Sequence, residues 1–116
     1  MPGRERLGEP EIRAALGDLP GWAFEEGGGG GGGGGGALVR TYKTSGWPST
    51  LMLVNAIGFL AEALDHHPDL EVHWGSVGIR LSTHSAGGVT PMDVELARQI
   101  AETAQRGTKR KLVEPG

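Results

Sequence analysis

Apolar residues between positions 48 and 64 recur at intervals of three and four, at Leu53, Ile57, Leu60 and Leu64. That period predicts an amphipathic helix over Pro48–Leu64, with Ser45 or Ser49 as its cap. Met52, Ala56, Phe59 and Ala63 form a second stripe beside the first. A surface helix needs one apolar face, so this helix calls for cover on two sides, and in so short a chain the second cover is expected to be another subunit. A shorter helix is expected over Pro10–Leu16, with Pro10 in the first turn and Gly17 just past the end. A third opens at Thr90-Pro91-Met92-Asp93. There Thr90 is placed as N-cap, Pro91 as the first helical residue and Asp93 as the capping-box acid. Its inward stripe is Val94, Ala97, Ile100 or Ala101, and Ala104.

Elsewhere the period falls to two. Trp22-Ala23-Phe24 reads as the start of a strand and Ala37–Lys43 as another, with either Leu38 and Tyr42 or Val39 and Thr41 inward. Leu70, Val72 and Trp74 alternate, as do Val77, Ile79 and Leu81, and Gly75-Ser76 between them suits a two-residue hairpin turn. With that turn Trp74 faces Val77, Val72 faces Ile79 and Leu70 faces Leu81, all on one side. Glu71 then lies opposite Arg80 as a cross-strand ion pair, His73 falls on the other face, and counting on brings His67 opposite His84. The order α-β-β-α-β-β-α predicts an α+β fold: a four-stranded antiparallel sheet with three helices on one face.

The length of 116 residues fits a single domain over 1–116. Of 22 glycines, ten form the run Gly27–Gly36. Hairpin loops usually need roughly two to five residues, and no Lys-Ser/Thr pair or helix start follows the run. It is therefore read as a flexible inserted loop and not a phosphate cradle. The net charge of −3, with signs interspersed, argues against a nucleic-acid surface. The basic residues between Arg106 and Lys111 read as a solvated end, with 107–116 a disordered tail. Without cysteine there are no disulfides and no thiolate chemistry. No apolar run approaches membrane-spanning length and no secretory signal is legible, so the expectation is a cytoplasmic protein with no membrane partner.

The chemistry concentrates at the end of the long helix, in Glu-Ala-Leu-Asp-His-His-Pro over residues 62–68. His66 and His67 stop the helix, and the hairpin count brings His84 toward them. Glu62 lies one turn before His66, close enough to orient its ring. Asp65 is adjacent, and Asp93 opens the helix that follows the hairpin. Imidazoles beside carboxylates suit proton transfer near neutral pH. A bland reading stands beside each: His-Pro as a helix stop serving the C-terminal dipole, Asp93 as a cap, Glu62 as a solvated side chain. Three histidines and a glutamate could also hold zinc. Against metal, the paired histidines are adjacent and not spaced i,i+4, and no His-Glu-x-x-His pattern occurs. Ser82 and Ser85 carry no nucleophile signature.

The spacing Glu62-x3-His66-His67-Pro68-x5-Trp74-x9-His84-x8-Asp93 resembles the signature of the pterin-4a-carbinolamine dehydratases, and the likeness extends from about Leu19 to Ile100. The resemblance implies the same sheet-and-helix layer, dimers that extend the sheet, and tetramers joined through the long helix. It implies loss of water from 4a-hydroxytetrahydrobiopterin to give quinonoid dihydropterin, recycling the cofactor of aromatic amino-acid hydroxylases, with no metal and no cofactor. On that basis His66 and His84 are the acid–base pair and His67 holds the pterin. Glu62 orients His66, while Asp65, Thr83 and Asp93 line or brace the pocket. The alternative it implies is a non-catalytic protein-binding module, either a transcriptional dimerisation cofactor or an assembly factor. The glycine run and Trp47-Pro48 depart from the family's usual pattern.

Overall fold

The computed structural model describes residues 3–27 and 36–115. The expected flexible glycine loop lies, apart from Gly27 and Gly36, outside the described residues. The elements are α1 (Glu9–Leu16), β1 (Ala23–Glu25), β2 (Ala37–Lys43), α2 (Trp47–Leu64), β3 (Asp69–His73), β4 (Ser76–Leu81) and α3 (Pro91–Lys109), with a single 3₁₀ turn over His84–Ala86. The four strands form one antiparallel sheet in the order β1-β2-β4-β3. This is the α+β fold and the element order that the periodicity predicts.

Burial resolves the phase of β2, since Leu38 and Tyr42 turn inward beside Val77, Ile79 and Leu81 of β4. Leu53, Ile57 and Ala61 of α2, Leu96, Ala97, Ile100 and Ala104 of α3, and Ile12 of α1 join the same cluster. All three helices therefore serve one face of the sheet. On α3 Leu96, absent from the expected stripe, is fully buried along with Ala97 and Ile100, while Val94 is only half-buried. Tyr42 is held at its edge by Trp22, whose Nε1–H donates to the phenol at 3.1 Å, and burial pushes the phenol pKa up.

The second stripe on α2 stays open: Met52 is 56% exposed and Phe59 75%. The helix is also more apolar than the sequence reading allowed. Over 18 residues its mean hydropathy is 1.3, long and apolar enough by composition to cross a membrane. Its Leu53–Ile57–Ala61 side is instead seated on the sheet. Neither serine caps it: Gly46 is the N-cap, and Ser49 Oγ donates to the Gly46 carbonyl at 3.1 Å.

The β3–β4 register is shifted from expectation. Leu70 pairs with Ile79, Val72 with Val77, and His73 with Ser76, so the turn is Trp74-Gly75 and not Gly75-Ser76. The slip is even, which leaves the paired side chains on their expected faces and moves Trp74 into the turn. Tertiary contacts select it, because the Trp74 carbonyl accepts from Thr50 Oγ1 at 2.9 Å and the Gly75 carbonyl from the Thr44 N–H at 2.9 Å. Glu71 consequently faces Gly78, and Arg80 pairs with Glu25 of β1 in place of Glu71. The β1–β2 hairpin closes through Gly36 at φ +71°, where a Cβ would lie 2.5 Å from the Glu25 carbonyl oxygen.

The expected disordered tail is not one. Helix α3 continues to Lys109, Lys111 turns the chain back at φ 61°, and Val113 enters the core at 4% exposure. The Ser45 N–H donates to the Leu112 carbonyl at 3.1 Å and the Glu114 N–H to the Lys43 carbonyl at 2.8 Å. One apolar side chain with a few backbone hydrogen bonds outweighs a basic composition. Truncation after Lys111 should cost about 2 kcal/mol or more of unfolding free energy in urea titration. An unchanged midpoint would return the segment to the status of a loose end.

Candidate active site

Helix α2 ends because Asp65 takes the left-handed conformation, φ 51° and ψ 46°, as its C-cap. The Asp65 N–H bonds to the Ala61 and Glu62 carbonyls, and the His66 N–H returns to the Ala61 carbonyl at 3.0 Å. Such a cap satisfies the last carbonyls of the helix while turning the chain sharply. Here Arg4 Nη2 also donates to the Asp65 carbonyl at 3.1 Å. The turn sends two neighbouring histidines opposite ways. The His66 side chain is 7% exposed and that of His67 is 59% exposed.

His66 Nε2 lies 2.5 Å from Asp93 Oδ1, and Asp93 is completely buried in the first turn of α3. The other carboxylate oxygen, Oδ2, accepts from Thr83 Oγ1 at 2.8 Å and from the Thr90 N–H at 2.8 Å. The capping box read from the sequence is thus complete: Thr90 Oγ1 accepts from the Met92 N–H at 3.2 Å while Asp93 bonds back to the Thr90 backbone. The same carboxylate is a helix cap through one oxygen and a histidine partner through the other. A carboxylate this deep is tolerable only when every lone pair has a donor.

Glu62 does not meet His66. Its Oε1 lies 2.8 Å from His67 Nε2 in an exposed pair. The i,i+4 rule assumes that the helix continues through His66, and the left-handed residue at Asp65 ends it one residue earlier. Asp65 itself acts as the cap, with an exposed side chain. His84 begins the 3₁₀ turn immediately after Thr83 and is exposed. The candidates therefore sort into a buried set of His66, Thr83 and Asp93, an exposed pair of Glu62 and His67, and an exposed His84 joined to the first set through the chain. Thr90 was legible only as a cap, and the Thr-x-x-Asp spacing was the signal for its contact with Asp93. Among the described residues, no three His, Asp or Glu side chains converge to hold a metal ion.

If Nε2–H of His66 donates to Asp93, its Nδ1 is the ring nitrogen left able to accept a proton. Loss of the carboxylate would strand the His66 ring, the Thr83 hydroxyl and the Thr90 N–H together. Asp93→Ala should therefore cost about 3–5 kcal/mol of stability, while Glu62→Ala on the exposed pair should cost about 1 kcal/mol or less. Chemical denaturation of the two variants side by side reads the difference, and equal costs would refute the distinction.

The chain is similar to known proteins over most of its length. The family model for pterin 4 alpha carbinolamine dehydratase matches residues 5–103. A protein of Aquifex aeolicus named "Putative pterin-4-alpha-carbinolamine dehydratase" is 40% identical over 97 residues, which is 84% of this chain and 89% of that one. A protein of the same name from Nocardia farcinica is 40% identical over 101 residues, 87% of this chain and 97% of that one. The crystal structure of a transcriptional coactivator/pterin dehydratase from Brucella melitensis superposes with a TM-score of 0.73 at 32% identity, covering 83% of this chain and 95% of the other. A pterin dehydratase-like protein described as a RuBisCO assembly factor in the alpha-carboxysome shares the fold, at a TM-score of 0.54 and 16% identity over 69% of this chain and 87% of its own. The chain belongs to the pterin 4 alpha carbinolamine dehydratase family.

Proposed function

We propose that this protein removes water from 4a-hydroxytetrahydrobiopterin to give quinonoid dihydropterin. The observation that carries the reading is the corner at the end of α2. There a buried Asp93 holds His66 and bonds Thr83, while His67, the residue after His66, and His84, the residue after Thr83, are exposed. In the reaction the bond from C4a to oxygen breaks as a proton reaches the leaving hydroxyl, and N5 loses its proton as its electron pair forms the new C=N bond. The elimination is redox-neutral and needs an acid and a base, each worth roughly 10²–10⁴-fold in rate.

The geometry favours a redistribution of roles from those the resemblance implies. His67 and His84, both exposed, are the imidazoles open to a bound pterin and take the acid and base parts. Glu62 steadies His67 instead of His66. His66, fixed by Asp93 and with Thr83 bracing that carboxylate, forms the wall against which the substrate lies. The substrate would come from an aromatic amino-acid hydroxylase.

The dehydration rate of 4a-hydroxytetrahydrobiopterin tests this directly. Wild type should accelerate it, and His67→Ala and His84→Ala should each lose on the order of 100-fold or more. Well-folded wild-type protein that gives no acceleration would overturn the enzyme and favour a protein-binding module on the same fold.

The open stripe of α2 fits a homodimer or homotetramer. Met52 and Phe59 stand exposed there, and Val72 is exposed on the edge strand β3. Light scattering at micromolar concentration should report an oligomer for wild type and a smaller species for Phe59→Glu. A monomeric wild type would refute the assembly.

A further inference from the structure

We infer that Thr90 is a positioning residue for His66, acting through a chain of hydroxyls that ends on Asp93. Thr90 and Asp93 are both wholly buried and Thr83 is 3% exposed, so water does not compete for their protons. The direction of the chain follows from counting donors. Thr90 Oγ1 is engaged as an acceptor by the Met92 N–H at 3.2 Å. Its one proton then has two candidate acceptors, Thr83 Oγ1 at 2.8 Å and Asp93 Oδ2 at 3.5 Å, and the shorter contact is the hydrogen bond. With one lone pair of Thr83 filled by that proton, the Thr83 hydroxyl donates to Asp93 Oδ2 at 2.8 Å.

Asp93 Oδ2 thereby receives two donors, the Thr83 hydroxyl and the Thr90 N–H. Both are tied to the start of α3, so the plane of the carboxylate is fixed relative to that helix. Oδ1 is left pointing at one partner, His66 Nε2, at 2.5 Å. An acceptor held in this way keeps the proton of His66 on Nε2 and the ring at one angle, as carboxylates and carbonyls do for histidines elsewhere. The cap of α3 and the tautomer of His66 are one hydrogen-bonded unit.

The assignment rests on the dehydratase reading for its kinetic arm alone. The test compares Thr90→Val, which keeps the shape and removes the hydroxyl, with Thr90→Ser, which restores the hydroxyl. Each is followed by dehydration kinetics and by ¹⁵N–¹H spectra of the His66 imidazole in the full-length protein. Thr90→Val should lower kcat/KM by roughly 10–100-fold, because the wall that His66 presents to the substrate is no longer held at one angle, and should shift or exchange-broaden the His66 Nε2–H signal. Thr90→Ser restores the hydroxyl and the cap together and should return both to near wild type, so the chain is separated from the cap by Thr83→Ala, which leaves the Met92 N–H bonded to Thr90 Oγ1. Should Thr90→Val fail to fold, Thr83→Ala interrupts the same chain without removing the cap and should give the same shifted signal. If wild type proves to have no dehydratase activity, the spectral arm still decides. A signal that moves in Thr90→Val and in Thr83→Ala and returns in Thr90→Ser supports the positioning chain. A His66 signal unmoved in Thr90→Val, or in Thr83→Ala, overturns it.

Discussion

The molecule is organised around a carboxylate with no access to water. Asp93 is completely buried, and its two oxygens are shared among a histidine, a threonine hydroxyl and a backbone amide. Removing a charge from water costs several kcal/mol unless its hydrogen bonds are replaced, so these partners must arrive together or the residue cannot be where it is. They come from three places in the chain: the end of α2, the residues just after β4 and the first turn of α3. The requirement that they meet explains why α2 stops where it does, with Asp65 in a left-handed conformation, and why β4 ends at Leu81, leaving half-buried Ser82 and buried Thr83 before the 3₁₀ turn.

Chemistry follows from that meeting. The cap that ends α2 separates two adjacent imidazoles, one inward onto Asp93 and one outward onto Glu62. A continuing helix would have placed them about 100° apart on the same surface. The sharper divergence leaves one ring rigid and one open to solvent, and His84 follows Thr83 directly. The elimination proposed for this protein needs proton donation and proton removal on one small heterocycle, and such a division between a fixed and an accessible imidazole would serve it.

Much of this was legible beforehand because it rests on local rules. The spacing of Leu53 and Ile57 located α2, and Thr90-Pro91-Met92-Asp93 announced the capping box. The hairpin alternation placed Leu70, Val72, Val77, Ile79 and Leu81 on one face even though the turn was misplaced and took Trp74 out of the strand, since an even slip preserves the faces. What escaped depends on distant partners. Thr44 and Thr50 hold the carbonyls of Gly75 and Trp74 and so choose the turn. Val113 docks against Gly107, where a Cβ would lie 2.8 Å from its methyl, and so orders a segment whose composition reads as tail. Glu62 was assigned to the wrong histidine because a non-glycine left-handed cap has no strong sequence mark. Asp93 was read as either cap or site residue, and a carboxylate has oxygens enough to be both.

The central claim is that Asp93 and His66 form one buried unit. A double-mutant cycle in urea measures it most directly, with His66→Ala, Asp93→Ala and the double variant compared with wild type. Strong coupling is predicted, on the order of 2 kcal/mol or more, because once either partner is gone the second substitution removes a group already stranded. Costs that add to within about 0.5 kcal/mol would contradict the account.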